Sequence, residues 1–297
     1  MPLAPAPAVA RAALLLRHLA DHPAQRFTVS ELARRLSVPR ATCDTLLLAL
    51  TDAGLVRRDA ERRYQLGPGC IALGDAARTA NSTLRAAATH AEALAREVGG
   101  FTLVAIRDGD ETRVADVFDF APALGLRARV AEAIPLVPPF GASFVAWGDD
   151  DEVMTWLARA DPPLDAGEEA TYRGALRVVR ERGYSVTVVT ARQTTLIHAL
   201  ERLVDDRDRV DARAARDEAV RQMTHSEHLT GDLDPSAPLR IAQVSAPVLD
   251  ADGRAGAAIM LLGPNHELTA EEVADLGQRV ARAAARAAAD AGGRASA

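Results

Sequence analysis

Residues 30–54, SELARRLSVPRATCDTLLLALTDAG, decide the fold of the N-terminal part of the chain. Two helical patterns, the first of them over 31–36, flank the tripeptide SVP (37–39), which is typical of a tight turn. Pro39 suits the first turn of the second helix, because its ring presets φ and its missing N–H is not needed there. Gly54 follows the last apolar position and favours termination of that helix. The stretch therefore predicts a helix-turn-helix.

The second predicted helix has one apolar side and one mainly polar side. The apolar stripe follows the helical spacing i, i+3, i+4 and i+7 and comprises Cys43, Leu46, Leu47 and Leu50. The opposite side carries Arg40, Ala41, Asp44, Thr45 and Leu48. In a helix-turn-helix the second helix packs one side against the domain and places the other in a DNA groove, so we expect the polar side to face DNA.

The residues that flank this motif complete a small domain. A helix is predicted over 9–20, and either Thr28 or Ser30 is available as N-cap for the first helix of the motif. Two short strands are predicted after the motif, over 55–58 and 62–66. Three helices followed by a hairpin is the order of a winged helix-turn-helix.

The remainder of the chain alternates strands and helices. Strands are predicted over 101–108, 112–118, 184–190, 240–250 and 255–263. Helices are predicted to start within 139–147 and to cover 168–183 and 269–289, besides one or two alanine-rich helices within 71–97. This succession indicates an α+β domain, in which a sheet carries helices on one face or end.

The composition limits the classes of protein that the chain can represent. Its 297 residues suffice for about two domains. Two cysteines cannot build a disulfide framework, and no apolar run is long enough to span a membrane, so we expect a cytoplasmic protein. Residues 1–75 carry ten arginines against seven acidic residues, although the whole chain has a net charge of -6. A small basic module on an acidic body suits contact with nucleic acid at one end only.

Six segments resemble the isocitrate-lyase-regulator (IclR) family of bacterial transcription factors. The N-terminal segments are SELARRLSVPRAT, LLLALTDAGLVRRD and RRYQLGPGCIALG. The C-terminal segments are IPLVPPFGASFVAW, VRERGYSV and VSAPVLDADGRAGAAIMLLGP. The resemblance covers roughly residues 9–290, apart from an insertion at about 191–238 where the family has a short loop.

This resemblance implies a division of the chain into functional parts. A winged helix-turn-helix DNA-binding domain would cover 9–70, a linker helix 71–85, and a GAF-like α/β effector-binding domain 86–290. The resemblance also implies a homodimer or homotetramer on double-stranded operator DNA, controlled by a small-molecule effector and not associated with a membrane.

The candidate DNA contacts lie on the second helix of the motif and on the hairpin. They are Thr28, Arg40, Ala41, Thr42, Asp44, Thr45, Arg57, Arg58, Arg62 and Arg63. Arginine pairs with guanine in a bidentate manner, threonine bonds a phosphate or a base, and a wing rich in arginine suits phosphates or the minor groove. The family usually has arginine at the position of Thr45 and an uncharged residue at that of Asp44, so this helix has lost positive charge.

The resemblance places the effector pocket between the sheet and the loops that lead into its helices. The candidate residues are Phe140, Gly141, Ala142, Ser143, Thr187, Gln243, Ser245 and Met260. The first four would start a helix, whose free N–H groups and dipole favour a carboxylate. Relatives often have Asp and Cys near the positions of Thr187 and Gln243, so we expect a larger and more apolar effector, such as an aromatic or acyl compound. The alternative is that these residues only pack a core.

Three histidine or cysteine residues have two interpretations each. Cys43 fits a redox sensor or, from its place in the apolar stripe, a buried small hydrophobe, which we favour. His225 and His228 have the spacing of a metal site, but no third ligand accompanies them, so surface histidines are favoured. No Ser-His-Asp set or phosphate-binding glycine loop is recognisable, and we expect no enzyme activity, no cofactor and no metal.

The sequence therefore predicts a ligand-responsive transcriptional regulator that binds a pseudo-palindromic operator. The alternative is a sensor whose winged helix mediates protein contacts without specific DNA binding, which the carboxylate of Asp44 favours. A regulated pathway, an operator sequence and the sign of regulation do not follow from the residues.

Overall fold

The computed structural model describes residues 6–121, 133–189, 218, 220–222 and 238–292. It divides into two compact units, and the boundary between them follows Ala80. The predicted insertion at 191–238 lies outside the described residues, apart from 218, 220–222 and 238.

The first unit is a winged helix-turn-helix, in agreement with the predicted fold. Its elements are α1 (Pro7–Asp21), α2 (Val29–Arg35), α3 (Arg40–Asp52), β1 (Val56–Arg58), β2 (Tyr64–Leu66) and α4 (Gly69–Ala80). β1 and β2 pair antiparallel, and Phe27 adds a bridge to Tyr64 through backbone hydrogen bonds of 3.0 and 2.7 Å. Phe27, just before α2, therefore pairs with the wing.

The core of the first unit is built from the predicted apolar stripe. Cys43 and Leu47 are fully buried, and Leu15 of α1 and Leu32 of α2 lie in the same cluster. Full burial of a leucine side chain stabilises a fold by roughly 1.5–3 kcal/mol. The stripe therefore orients α3 so that its opposite side stays exposed.

The alanine-rich stretch, predicted to form one or two helices, forms two. α4 ends at Ala80, and α5 (Ser82–Val98) starts after Asn81, whose side chain accepts a hydrogen bond of 2.9 Å from the Leu84 N–H. Asparagine is a strong N-cap residue, and this local signal divides the alanine-rich stretch. α4 has no buried residue in the described structure.

The second unit is a six-stranded antiparallel sheet with helices. Its elements after α5 are β3 (Phe101–Asp108), β4 (Glu111–Asp119), β5 (Ala133–Pro135), α6 (Ala142–Val145), α7 (Asp150–Leu157), α8 (Ala166–Arg182), β6 (Ser185–Val188), β7 (Ile241–Leu249), β8 (Ala255–Leu262) and α9 (Ala270–Asp290). The strand order is β5-β4-β3-β8-β7-β6.

Helices cover both faces of this sheet, so the expectation of helices on one face or end was wrong. α5 and α9 pack on the face that carries Val244 and Ile259. On the other face, Leu103 and Met260 cluster with Phe144 of α6. The physical reason lies in β8, whose sequence AGAAIMLL is apolar at consecutive positions and therefore needs cover on both sides.

The segment 139–147 forms less helix than its sequence indicates. α6 has four residues, and the chain then turns at Gly148 into Asp149, which caps the next helix by accepting a hydrogen bond of 2.9 Å from the Glu152 N–H. That cap starts α7, a helix that the sequence pattern did not reveal. The strand β5, three residues long, also escaped prediction, because three residues carry too little periodicity.

Candidate DNA-binding and effector-binding sites

The exposed side of α3 brings most of the predicted DNA-contacting residues of this helix together. Arg40, Ala41, Asp44 and Thr45 are exposed, and Thr42 is half-buried. Arg40 Nε lies 3.9 Å from Asp44 Oδ2, one helical turn away, and both side chains are more than half exposed. An exposed pair of this kind contributes little to stability, so its effect is to restrain the guanidinium and reduce the positive charge of this face.

Two threonines on the list already use their hydroxyl groups within the first unit. Thr45 Oγ1 donates to the carbonyl of Ala41 at 3.0 Å. Thr28 is the N-cap of α2: its hydroxyl donates to Glu31 Oε2 at 2.8 Å and accepts from the Glu31 N–H at 3.3 Å. The Thr28 N–H also donates to Glu31 Oε2 at 2.7 Å, and this bond, together with the one from the hydroxyl, holds the pKa of Glu31 below its usual value. A DNA contact by Thr28 stays a prediction, and it would have to use the remaining acceptor capacity of this hydroxyl.

The hairpin presents all four predicted arginines to solvent: Arg57, Arg58, Arg62 and Arg63. Asp59 organises its tip, because Oδ1 accepts from the Arg63 N–H at 2.8 Å and Oδ2 lies 3.2 Å from Arg26 NH1. The bond from the Arg63 N–H is the main cause of the lowered pKa of Asp59. Arg62 has φ of 62°, a left-handed conformation that places it in the turn itself.

Two residues near these sites were missed by the sequence analysis as candidate contacts. Arg26 is tied to the hairpin, since its carbonyl accepts from Arg63 NH1 at 3.3 Å, and only the tertiary fold brings it there. Leu48 is 64% exposed on the same side of α3 as Asp44. Its helical position could have identified it, but an apolar side chain on a polar face was passed over.

Cys43 is fully buried in the core of the first unit. Burial, with a smaller contribution from the carboxylate of Asp44, raises the pKa of its thiol. A protonated and inaccessible thiol is a poor nucleophile, so the geometry favours the small-hydrophobe interpretation.

Four of the predicted effector residues lie on one face of the six-stranded sheet. Register pairs place Thr187 beside Gln243 and Ser245 beside Met260. Ser245 also pairs with Ser185, and their hydroxyl oxygens are 2.6 Å apart and buried. Met260 clusters with Phe144, so this is the face that α6 covers.

The other four predicted effector residues form the approach to α6 and its first turn. Gly141 has φ of 81°, and a Cβ atom there would collide with Leu136, so glycine is required. The carbonyl of Phe140 accepts from Trp156 Nε1 at 2.9 Å. Ser143 is 1% exposed, and its hydroxyl bonds to no group in the part of the chain that the structure describes. Because α6 is a single turn, its dipole is small, and the donors themselves carry any attraction for an anion.

The histidine pair His225 and His228 lies outside the described residues. Within the described ranges, no group of three or more His, Cys, Asp or Glu side chains is arranged to hold a metal ion. The same ranges contain no helix with the length and apolarity needed to cross a membrane.

Comparison with known proteins identifies the first unit and matches the fold of the whole chain. The family model of the IclR helix-turn-helix domain matches residues 8–60. The IclR transcriptional regulator of Alicyclobacillus acidocaldarius is 24% identical, with a TM-score of 0.68, over 97% of this chain and 100% of that one. A comparison with curated proteins finds no significant match.

Two further solved structures have the same fold at lower identity. The IclR protein of Thermotoga maritima is 16% identical, with a TM-score of 0.58, over 96% of this chain and 98% of that one. An IclR homolog of Microbacterium hydrocarbonoxydans, solved in complex with 4-hydroxybenzoate, is 15% identical, with a TM-score of 0.63, over 96% of this chain and 98% of that one.

Proposed function

We propose that this chain, whose residues 8–60 match the family model of the IclR helix-turn-helix domain, regulates transcription by binding a pseudo-palindromic operator under the control of a small organic acid. The observation that carries this proposal is the exposed side of α3, which an independently packed apolar stripe turns away from the core. The family-model match and this orientation together support a recognition helix.

The proposed contacts on DNA divide into two kinds. Arg40, Asp44 and Thr45 lie in the first half of α3, the part that reaches base edges in this class of motif. Arg40 would take a guanine, and Asp44 would either hold the Arg40 guanidinium or accept from a cytosine N4 group. The arginines of the hairpin would contact phosphates, which position the protein without reading sequence.

We propose α4 as a surface that pairs two copies on the operator. Most of its residues are small or apolar, although Asp75 and Arg78 are charged. None is buried, and Ile71 and Leu73 are 68% and 59% exposed. Pairing would cover this surface and place two α3 helices on half-sites about 34–36 Å apart. The molecular mass of the protein in solution distinguishes a dimer from a tetramer built of two such dimers.

The proposed effector site is the space bounded by the hydroxyl-bearing face of the sheet and the first turn of α6. Ser143 supports a ligand there, because it lies in the first turn of α6 and its hydroxyl can donate to a carboxylate. Gln243 offers an amide, and Met260 an apolar wall. An aromatic or acyl carboxylate suits this mixture, and the neighbour in complex with 4-hydroxybenzoate supports the choice of an aromatic acid. The effector would change operator affinity through a coupling of roughly 1–3 kcal/mol.

Fluorescence anisotropy with the DNA upstream of the gene, at 50 and 200 mM salt, tests DNA binding. If four wing arginines of one protomer each neutralise a phosphate, affinity should fall about a hundredfold across this range. Arg57→Gln should reduce the salt dependence by about one phosphate, while Arg177→Gln, an exposed arginine of α8, should not. Equal affinity for upstream and scrambled DNA would contradict an operator-binding regulator.

A second function is favoured by one observation, the carboxylate of Asp44 on the face that would meet phosphates. In this alternative the winged helix contacts another protein and does not bind DNA specifically. Asp44→Asn separates the two. A DNA-reading helix should gain affinity for random DNA and lose discrimination, whereas a protein-contacting helix should show no salt-dependent DNA binding with either residue.

A further inference from the structure

A partly open cavity of about 540 Å³ lies in the second unit, at the ends of two hairpins. The β3–β4 hairpin contributes Arg107, and the turn between β7 and β8 contributes Arg254. The opposite wall is the segment from α6 into α7. Cavities of this size hold small organic molecules in many proteins.

This cavity is distinct from the proposed effector site. Ala255 at the start of β8 lines the cavity, whereas Gln243 pairs with Leu262 at the end of the same strand. Seven residues of extended strand separate these positions by about 23 Å. Phe144 of α6 lines the cavity and also packs with Met260, so one short helix stands between the two sites.

One wall of the cavity is aromatic. Trp147, Trp156 and Phe144 line it, and the two tryptophans are the only ones in the chain. Trp156 is held in place, because its indole N–H donates to Phe140 and its ring meets Tyr172 edge-on at 5.5 Å. Trp147 is half-buried, and its indole N–H donates to no acceptor in the described part of the chain.

Among the described residues, the Arg254 guanidinium is the one cation of this cavity without a carboxylate or carbonyl partner. Arg107 is paired with Glu152, and Arg159 with Asp110, whose carboxylates offset both guanidinium charges. Arg254 holds the β7–β8 turn by its backbone alone: its N–H donates to Asp250 Oδ1 at 2.9 Å. Within the described ranges, no carboxylate or carbonyl lies within bonding distance of the Arg254 guanidinium.

We propose that this cavity is a second small-molecule site, which takes an aromatic monocarboxylate. The carboxylate pairs with Arg254 and accepts from the indole N–H of Trp147, while the ring lies against the aromatic wall. A guanidinium fork matches a carboxylate in geometry. Asp149, Asp151 and Glu152 also line the cavity and would repel a doubly charged anion such as phosphate. The ligand is therefore singly charged and mainly apolar.

Tryptophan fluorescence of the full-length protein reports on this site directly, since both tryptophans line it. Titration with benzoate should give a saturable change, and benzamide, of the same shape but neutral, should bind at least tenfold more weakly. Calorimetry of the same pair supplies the affinity without optical interference. Absence of benzoate binding, or equal binding of benzamide or inorganic phosphate, would overturn the proposal.

Variants locate the binding. Arg254→Gln should weaken benzoate at least tenfold and Arg254→Lys less, because lysine keeps the charge but not the fork. Arg177→Gln is the matched control on the same unit, and it should leave the titration unchanged. Gln243→Leu should spare the fluorescence response if the two sites are separate. An unchanged affinity in Arg254→Gln, with loss in Gln243→Leu, would assign the binding to the effector site and refute a second one.

Discussion

The two faces of the six-stranded sheet differ in what their side chains do. On the face under α5 and α9, the described buried side chains are apolar except for Thr102, whose hydroxyl donates to the Ala91 carbonyl of α5 at 2.8 Å. The face under α6 mixes apolar residues with hydroxyl and amide groups, among them Ser185, Ser245 and Gln243. The apolar packing of the first face stabilises the fold. The second face has less apolar packing and more polar groups that can hydrogen-bond a ligand.

The largest effect is expected on the packing face. Ile259→Ala removes a side chain that is 0% exposed and should lower the free energy of unfolding by about 2–5 kcal/mol. Chemical denaturation followed by circular dichroism measures this loss. Met260→Leu on the opposite face is the control and should cost less than about 1.5 kcal/mol, since its volume is conserved. Equal losses in the free energy of unfolding would mean that both faces contribute equally to stability.

The buried hydroxyl pair of the other face should show coupling. Ser245→Ala removes the closer partner of the Ser185 hydroxyl, which keeps only a contact of 3.5 Å to the carbonyl of residue 245, and should cost about 1–3 kcal/mol. The double variant Ser185→Ala/Ser245→Ala should be closer to the wild type, because neither buried hydroxyl then remains. A double-mutant cycle on the unfolding free energy measures this, and strictly additive losses would show that the two hydroxyls do not depend on each other.

The capping box at the start of α9 should give a smaller and pH-dependent effect. Thr269→Ala should cost about 1 kcal/mol near neutral pH. Bonds from the Thr269 N–H and hydroxyl lower the pKa of Glu272 in the folded protein. The carboxylate therefore stabilises the fold fully at pH values above the pKa that Glu272 has in the unfolded chain. This stabilisation is lost as pH falls through the lowered folded pKa.

Unfolding midpoints of wild type and Thr269→Ala should therefore converge toward acidic pH. Glu272→Gln serves as the control, because its difference from wild type should shrink over the same range. A difference between wild type and Thr269→Ala that grows as pH falls would contradict the role of the carboxylate.

Ser143 is expected to show the smallest effect on stability and a clear effect on ligand affinity. Ser143→Ala removes a hydroxyl that makes no hydrogen bond within the described part of the chain, so the free energy of unfolding should change by less than about 0.5 kcal/mol. Calorimetry with 4-hydroxybenzoate should show about tenfold weaker binding. Loss of stability without loss of affinity would make Ser143 part of the core.

Local patterns predicted the elements that have strong periodicity or strong caps. The stripe of Cys43, Leu46 and Leu47 placed α3, and the helix predicted over 269–289 agrees with α9 (Ala270–Asp290). The break at Asn81 and the cap at Asp149 had the same kind of signal, but each stands inside an alanine-rich or apolar stretch that hides it. The strand β5 has no local signal that distinguishes it from a loop.

A candidate site was easier to predict from the sequence when its residues lie close together along the chain. The exposed side of α3 follows from helical spacing alone, whereas Arg26 joins the wing through Asp59 and Arg63, 33 and 37 positions away. Ser185 and Ser245 are 60 positions apart, and only strand register brings their hydroxyls together. Nothing in the order of the residues indicates that Arg107, Trp147 and Arg254 share a cavity.

The sequence by itself determined the winged helix-turn-helix and most strands of the sheet, because helical spacing, strand patterns, caps and motifs act over a few residues. The tertiary structure decided that both faces of the sheet are covered, that two buried serine hydroxyls meet on one of them, and that, among the described residues, the Arg254 guanidinium has no carboxylate partner beside the two tryptophans. These features depend on contacts between side chains that are far apart in the sequence. Such contacts form only when the strands take their register and the helices pack on the sheet.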